Sequence, residues 1–258
     1  MKQIFLDEIE QKIKRNFNKS AKTYDTYATI QNKIGHQLLS MIDPYLNQVS
    51  HLIDLGCGTG LLTLALAKRC TYQRFYAIDI ADRLLFNARK RLSTFKITVE
   101  EQNFNYFHYE NCLFDCVFSN MALQWSTNIK KTFTHINQNM RLNGFFLFSL
   151  PLKNTFQELN ADAKNHFFDL SEISNLLQQS GFVLLSENQE KLLLNFNSVR
   201  EALHSIKAVG ANYHHPSNSS LRGKSYLSTL NNHFPIHQRF SLTYEIGYFL
   251  IRKSSHVI

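Results

Sequence analysis

The sequence predicts an α/β protein, a doubly wound and mainly parallel sheet with an antiparallel edge strand and helical N-terminal and insert additions. Three observations predict it. From His51 to Leu150 short apolar runs alternate with segments of helical period, as in β-α units of a parallel sheet. "HLIDLGCGTGLLTLALA" (His51 to Ala67) sets three glycines on alternate positions between an apolar run and a helical repeat, where the backbone must turn tightly out of a strand. Two late strands, "FVLLSENQEKLLLNF" and the closing "FSLTYEIGYFLIRK", would finish the sheet as an antiparallel edge.

Taken in order, residues 1–46 read as a lid of two helices joined near "KSAKTYDTYA", with Pro44 ending the second. "MKQIFLDEIEQKIKRNF" interleaves charge with Ile4, Phe5, Ile9, Ile13 and Phe17, an amphipathic helix rather than a signal peptide. Residues 47–258 form the main domain. Its strands are "HLIDL", "RFYAIDI", "KITVEEQ", "FDCVFSN" and "GFFLFSL", and its helices "LLTLALAKR", "ADRLLFNARKRL" and "NIKKTFTHINQNM". A helical insert with a polar linker occupies about 152–180. "FVLLSENQEKLLLNF" follows as a strand, or two with a turn. A second insert at about 198–235 holds the helical "SVREALHSIKAVGA", the loop "NYHHPSNSS" and a further helix near "LRGKSYLSTLNNHF".

A chain of 258 residues, 44% hydrophobic and 19% charged, suits one such globular domain with additions. No apolar run is long enough to cross a bilayer, so a cytoplasmic protein without a membrane partner is expected. Cys57, Cys70, Cys112 and Cys116 form no C-x-x-C pair, which favours reduced thiols over a disulfide or metal site. The adjacent histidines of "YHHP" have no i+4 partner, and no metal is expected. The net charge of +8 favours an anionic partner. The basic residues are dispersed, with no long block and no RNA-binding signature, so charge alone does not select nucleic acid.

The glycine turn narrows the ligand. A nicotinamide dinucleotide loop wants G-x-G-x-x-G, but that third position is Leu61 counted from Gly56 and Thr63 counted from Gly58. A triphosphate loop wants a lysine that is absent here. What stands is Asp54 ahead of Gly56, Gly58 and Gly60. An acid there repels pyrophosphate and suits a cation. S-adenosylmethionine, with a sulfonium, an ammonium and no phosphate, fits: Asp54 answers the ammonium and the glycine amides approach the ligand. Asp79, ending the next strand, suits ribose hydroxyls, and Ile80 the adenine face. This is the pattern of a class I methyltransferase core, Rossmann-like in fold. That family's acid after the third strand is replaced by Asn103, whose amide oxygen can accept from the adenine amino group, with Phe104 packing on the base. Asn120 ends the fourth strand at the same edge.

The acceptor comes by exclusion first. Asn120-Met121-Ala122 lacks the prolines of base-flipping amino methyltransferases. Clustered acids for a catechol enzyme and paired glutamates for an arginine enzyme are also missing. "SNMALQW" (Ser119 to Trp125), "SIKAVGAN" (Ser205 to Asn212), "SLTYE" (Ser241 to Glu245) and the N-terminal "FNKSAKTYDTYA" together resemble the biotin-pathway malonyl-[acyl-carrier protein] O-methyltransferases. The resemblance runs over nearly the whole chain in order. It implies methyl transfer to the free carboxylate of a malonyl thioester on acyl carrier protein, giving an ester that starts pimeloyl synthesis for biotin. The carrier is acidic, which matches the positive charge of this chain. A carboxylate is already ionised near neutral pH, so positioning is expected to replace acid/base catalysis, with no catalytic acid or base. Tyr24 is a lid residue or a packed aromatic; Gln124 and Trp125 line the acceptor pocket. The family's arginine for the malonyl carboxylate falls on His166 in this register, with Lys164 two residues before it. Lys207 meets the carrier or is a solvated lysine. Methylation of another small acceptor, such as a quinone precursor, and cofactor binding without turnover are the alternatives.

Overall fold

The computed structural model describes residues 2–159, 167–211 and 239–254. Helices α1 (Lys2–Ser20), α2 (Tyr24–Tyr27) and α3 (Thr29–Ile42) lead through a 3-10 turn (Asp43–Gln48) into strand β1 (His51–Leu55). There follow α4 (Leu61–Ala67), β2 (Arg74–Asp79), α5 (Asp82–Arg91), β3 (Thr98–Glu101), β4 (Phe114–Asn120), α6 (Ile129–Gln138) and β5 (Met140–Pro151). The last described elements are α7 (Leu170–Gln179), β6 (Phe182–Phe196), α8 (Val199–Ala208) and β7 (Phe240–Lys253).

The seven strands form one sheet in the order β3-β2-β1-β4-β5-β7-β6. The five leading strands are parallel, and β7 runs antiparallel between β5 and β6. The order reverses between β1 and β4, so their carboxyl ends frame the crevice where such sheets bind ligands. Alternation along β1 feeds two cores. Leu52 packs with Ile34, Leu38 and Ile42 of α3 and with Phe118. Ile53 and Leu55 pack on the other face with Phe133 and Ile136 of α6 and with Phe146 and Phe148. Helix starts are chemically marked: Asn128 caps α6, Ser198 caps α8, and Asp169 with Glu172 forms a capping box on α7.

The sequence predictions differ from the structure in two places. The N-terminal region contains a third helical piece, α2. The expected helical stretch at the start of the first insert is a run of turns over 153–159, because Asn154 and Phe156 adopt left-handed backbone (φ 73° and 57°) that a helix does not tolerate. "FVLLSENQEKLLLNF" is a single strand whose irregularity is absorbed by a bulge between Leu184 and Ser186. The loop "NYHHPSNSS" and the helix expected near "LRGKSYLSTLNNHF" lie outside the described residues. No described helix is long and apolar enough to cross a membrane.

Candidate active site

β1 delivers the chain to Gly56, Gly58 and Gly60, all at positive φ. At Gly56 a Cβ would stand 2.4 Å from the Cβ of Ala122, so the turn and the end of β4 touch backbone to side chain. The Gly56 and Cys57 amides donate to the Ile78 carbonyl at 2.8 and 3.0 Å, and the Gly60 amide donates to the Cys57 carbonyl. The Gly58 amide donates to Asp79 Oδ2 at 2.9 Å. This corrects one expectation: these amides do not wait for a ligand but tie the turn to itself and to β2. A phosphate cradle needs such amides free. What the turn presents is bare backbone beside two acids.

Asp54 is 2% exposed and accepts the Thr63 hydroxyl at 2.6 Å. Burial pushes its carboxyl up to about 7; the Thr63 hydrogen bond opposes the rise and the charge of Asp79 adds to it. Burial also raises the Asp79 carboxyl, against the amides of Ala81, Gly58 and Ile80. Asp79 Oδ1 accepts the Ala81 amide at 2.8 Å. Each Asp79 oxygen is therefore already an acceptor once and keeps a second lone pair.

Two cavities share a wall at this edge. One is bounded by Asp54, Gly56, Thr59, Phe118 and Asn120, the other by Phe17, Met121, Gln124, Trp125, Thr155 and Tyr244; Tyr24 and Gln31 line both. Among the described residues lining the second cavity none is charged. The only buried side-chain nitrogen or oxygen atoms without a partner among the described residues are Gln31 Oε1 and Gln124 Oε1. Gln124 is held in that orientation because its Nε2 donates to the Met121 carbonyl at 2.7 Å. Buried oxygens left unpaired are costly and call for a donor from outside the protein, a ligand's or a water's. Backbone strain gathers at the same cavity. Of the described non-glycine residues at positive φ three are asparagines; the other two, Met121 and Phe156, both line this chamber.

The narrow motifs acquire physical reasons here. Ser119 donates to the Leu55 carbonyl and joins β4 to β1, while Met121, Gln124 and Trp125 face the chamber. Ile206, Val209 and Ala211 line it from the end of α8. Gly210, at φ 76°, lets that end press on α1, since a Cβ would come within 2.9 Å of the Phe17 Cα. Tyr244 of β7 is another wall, and its neighbours pin the 152–159 turns: Leu152 and Phe156 amides donate to the Glu245 and Thr243 carbonyls, each at 2.7 Å.

The N-terminal helices close over this edge. Tyr24 is half-buried, and its ring lies 3.8 Å from where a Cβ on Gly58 would stand. Burial, followed by the charges of Asp79, Asp25, Cys57 and Asp54, raises its phenol well above the usual range. Asn120 Nδ2 donates to the Gln31 carbonyl and Ser149 donates to Asn120 Oδ1, so Asn120 braces α3 on the sheet. Phe17 meets Trp125 edge-on at 5.5 Å between ring centroids.

Of the residues expected at the site, Asp54, Gly56, Gly58, Gly60, Asp79 and Asn120 cluster around the turn, and Tyr24, Gln124 and Trp125 share the chamber. Ile80 and Asn103 line a third cavity, covered by Glu10 and Lys14 of α1; there Asn103 Oδ1 already accepts the Asn105 amide. Phe104 is instead a core residue, 9% exposed and packed with Ile78, Phe107 and Phe114, because its side chain falls on the sheet-facing side. Lys207 is exposed on α8, and its neighbour Ile206 supplies the lining. His166 and Lys164 lie outside the described residues. Gln31, Thr63 and Tyr244 were missed. Gln31 had a readable signal: it shares a helical face with buried Ile34, Gly35 and Leu38, an odd place for an amide.

Comparisons with known proteins identify the family and the fold. Residues 52–144 match the family model described as a methyltransferase domain. Among solved structures, the YcgJ protein of Bacillus subtilis superposes with a TM-score of 0.63 at 13% identity, covering 86% of this chain and 100% of that one. Phosphoethanolamine N-methyltransferase 2 of Haemonchus contortus, solved with S-adenosylhomocysteine, gives 0.54 at 16% identity over 85% of this chain and 53% of its own. Both show the fold. Malonyl-[acyl-carrier protein] O-methyltransferase of Bacillus cereus is 29% identical, covering 77% of this chain and 80% of its own. Malonyl-[acyl-carrier protein] O-methyltransferase 2 of Coxiella burnetii is 34% identical over 251 residues, 97% of this chain and 99% of its own. The chain belongs to the malonyl-[acyl-carrier protein] O-methyltransferase family.

Proposed function

We propose that this protein methylates the free carboxylate of a malonyl thioester on acyl carrier protein, with S-adenosylmethionine as donor. The names of its relatives support the acceptor. The observation that carries the reading is the shared wall: a cavity headed by Asp54 and floored by Gly56 adjoins an uncharged aromatic chamber, with Tyr24 and Gln31 in both.

The residues present fit that donor. Gly58 leaves room along bare backbone, Asp54 offers a carboxylate to an ammonium, and the unpaired Gln31 Oε1 awaits a hydrogen-bond donor. When bound, S-adenosylmethionine supplies a methyl group activated by its sulfonium charge. Asp79 uses its remaining lone pairs on ribose hydroxyls, and Ile80 with Asn103 holds the adenine end. Residues 1–46 act as the lid, with Tyr24 its contact over Gly58.

On the acceptor side, Gln124 and Trp125 bound the chamber with apolar neighbours that strip water from the entering carboxylate. A carboxylate with an ordinary pKa of about 4 arrives ionised, so no side chain has to remove a proton. Tyr24, kept protonated, has no phenolate to act as a base and can donate its O–H. The residues therefore align and desolvate. His166, next to the cavity-lining Phe167, is proposed as the cation for the malonyl carboxylate. Intact-mass analysis tests the function: malonyl carrier protein should gain one methyl group, while acetyl carrier protein, which lacks the free carboxylate, should gain none. No gain on the malonyl carrier protein would refute the reading.

A further inference from the structure

A second surface stands out on the far side of α2. An open groove of about 860 Å³ runs between the α1–α2 junction and α5. It is lined by Lys22, Arg83, Lys90 and Arg91 against one carboxylate, Asp25. Asp25 is engaged by Arg91 at 2.6 Å. Lys22, Arg83 and Lys90 are exposed and pair with no carboxylate among the described residues. Arg83, Phe86 and Lys90 stand at i, i+3 and i+7 on α5, so they share one face. Phe86 is 57% exposed, with Lys90 Nζ 4.4 Å from its ring centroid. An exposed aromatic rimmed by unpaired cations has the anatomy of a protein-docking surface for an acidic partner.

The groove also adjoins the site. Asn87 Nδ2 donates to the Ala21 carbonyl, fixing the α1–α2 junction on α5. Asp25 lines the groove while the preceding residue, Tyr24, lines both site cavities. Only the width of one helix, about 10 Å, separates the two. An extended phosphopantetheine arm is longer than that.

We propose that Lys22, Arg83, Phe86 and Lys90 form the docking surface for the acidic carrier protein that presents the malonyl thioester. This rests on the proposed function for its partner, and names where that partner sits. A nucleic acid would find no continuous cationic track here, since the patch is compact and centred on a phenylalanine.

The test is the double reversal Arg83→Glu, Lys90→Glu on α5, outside the lid, with Phe86→Ala as a milder second variant. Binding of fluorescent carrier protein, followed by anisotropy, should weaken about tenfold or more in the double variant. The wild-type affinity should fall with added salt, and the variant's should not. In turnover, KM for malonyl carrier protein should rise by a similar factor while kcat at saturation and cofactor affinity stay unchanged. Malonyl-pantetheine, which lacks the carrier, should be used equally by both proteins. Unchanged carrier binding in both variants would overturn the proposal, as would an equal loss on malonyl-pantetheine. If the wild type methylates neither thioester, the proposed function fails, yet the anisotropy result still decides the surface.

Discussion

Asp25 of the lid accepts the Thr59 hydroxyl at 2.6 Å, so the short helix α2 is latched directly to the glycine turn. Its other oxygen takes Arg91 Nη2 at 2.6 Å, and Arg91 Nη1 donates to the Thr59 carbonyl. Lid, turn and α5 therefore meet through one carboxylate. Asp25→Ala should loosen the lid without unfolding the sheet. Because the ion pair is partly exposed, the loss should be about 1 kcal/mol, roughly fivefold in S-adenosylmethionine affinity by calorimetry. Unchanged affinity would show that the latch does not govern the donor site.

Asp54 sets a pH dependence. Its folded pKa of about 7 stands above the ordinary 3.8, so the ligand-free fold holds a proton that the unfolded chain has lost. Its contribution to stability is greatest at low pH and declines as pH rises from about 4 to 7. A cationic ligand needs the ionised carboxylate, so cofactor affinity should move oppositely. It should strengthen by up to about tenfold per pH unit below 7 and level off above it. Calorimetry between pH 5 and 8 reads this, and Asp54→Asn should flatten the slope.

Two glycines separate fold from function. Gly56→Ala combines φ 77° with a contact of 2.4 Å on Ala122, and should cost about 3 kcal/mol in thermal unfolding. Gly58→Ala, at φ 57°, meets nothing nearer than the Tyr24 ring at 3.8 Å. It should cost about 1 kcal/mol, and its main effect should be on cofactor binding, because the added methyl occupies the space between the turn and the Tyr24 ring.

Gln31→Leu removes a buried oxygen that has no partner. Stability of the free protein should hold or rise, while kcat/KM falls at least about tenfold. A loss of stability with full activity would place Gln31 in the scaffold rather than in the site.

The sequence showed those features that are local. Strand and helix periods, the acid-headed glycine turn and Asp79 are short-range patterns, and the late strand pair declares an antiparallel edge. Other features are tertiary in origin. The Gly58 amide is consumed by Asp79, twenty-one residues away, and no local rule announces it. Phe104 enters the core because of how β3 exits the sheet. The 153–159 segment has helix-compatible residues, but β7 holds it in turns through the Thr243 and Glu245 carbonyls, overriding local preference. The chamber itself joins residues from Phe17 to Tyr244, and only Gln124, Trp125 and Tyr24 carried a signal strong enough to be read as its walls.

The most direct measurement is a crystal structure with S-adenosylhomocysteine. The account predicts its amino-acid end beside Asp54 and Gly56, its ribose on Asp79, and its sulfur toward the wall shared by Tyr24 and Gln31. A ligand bound elsewhere, or a turn that stays closed to it while a nucleotide phosphate binds there, would contradict the account.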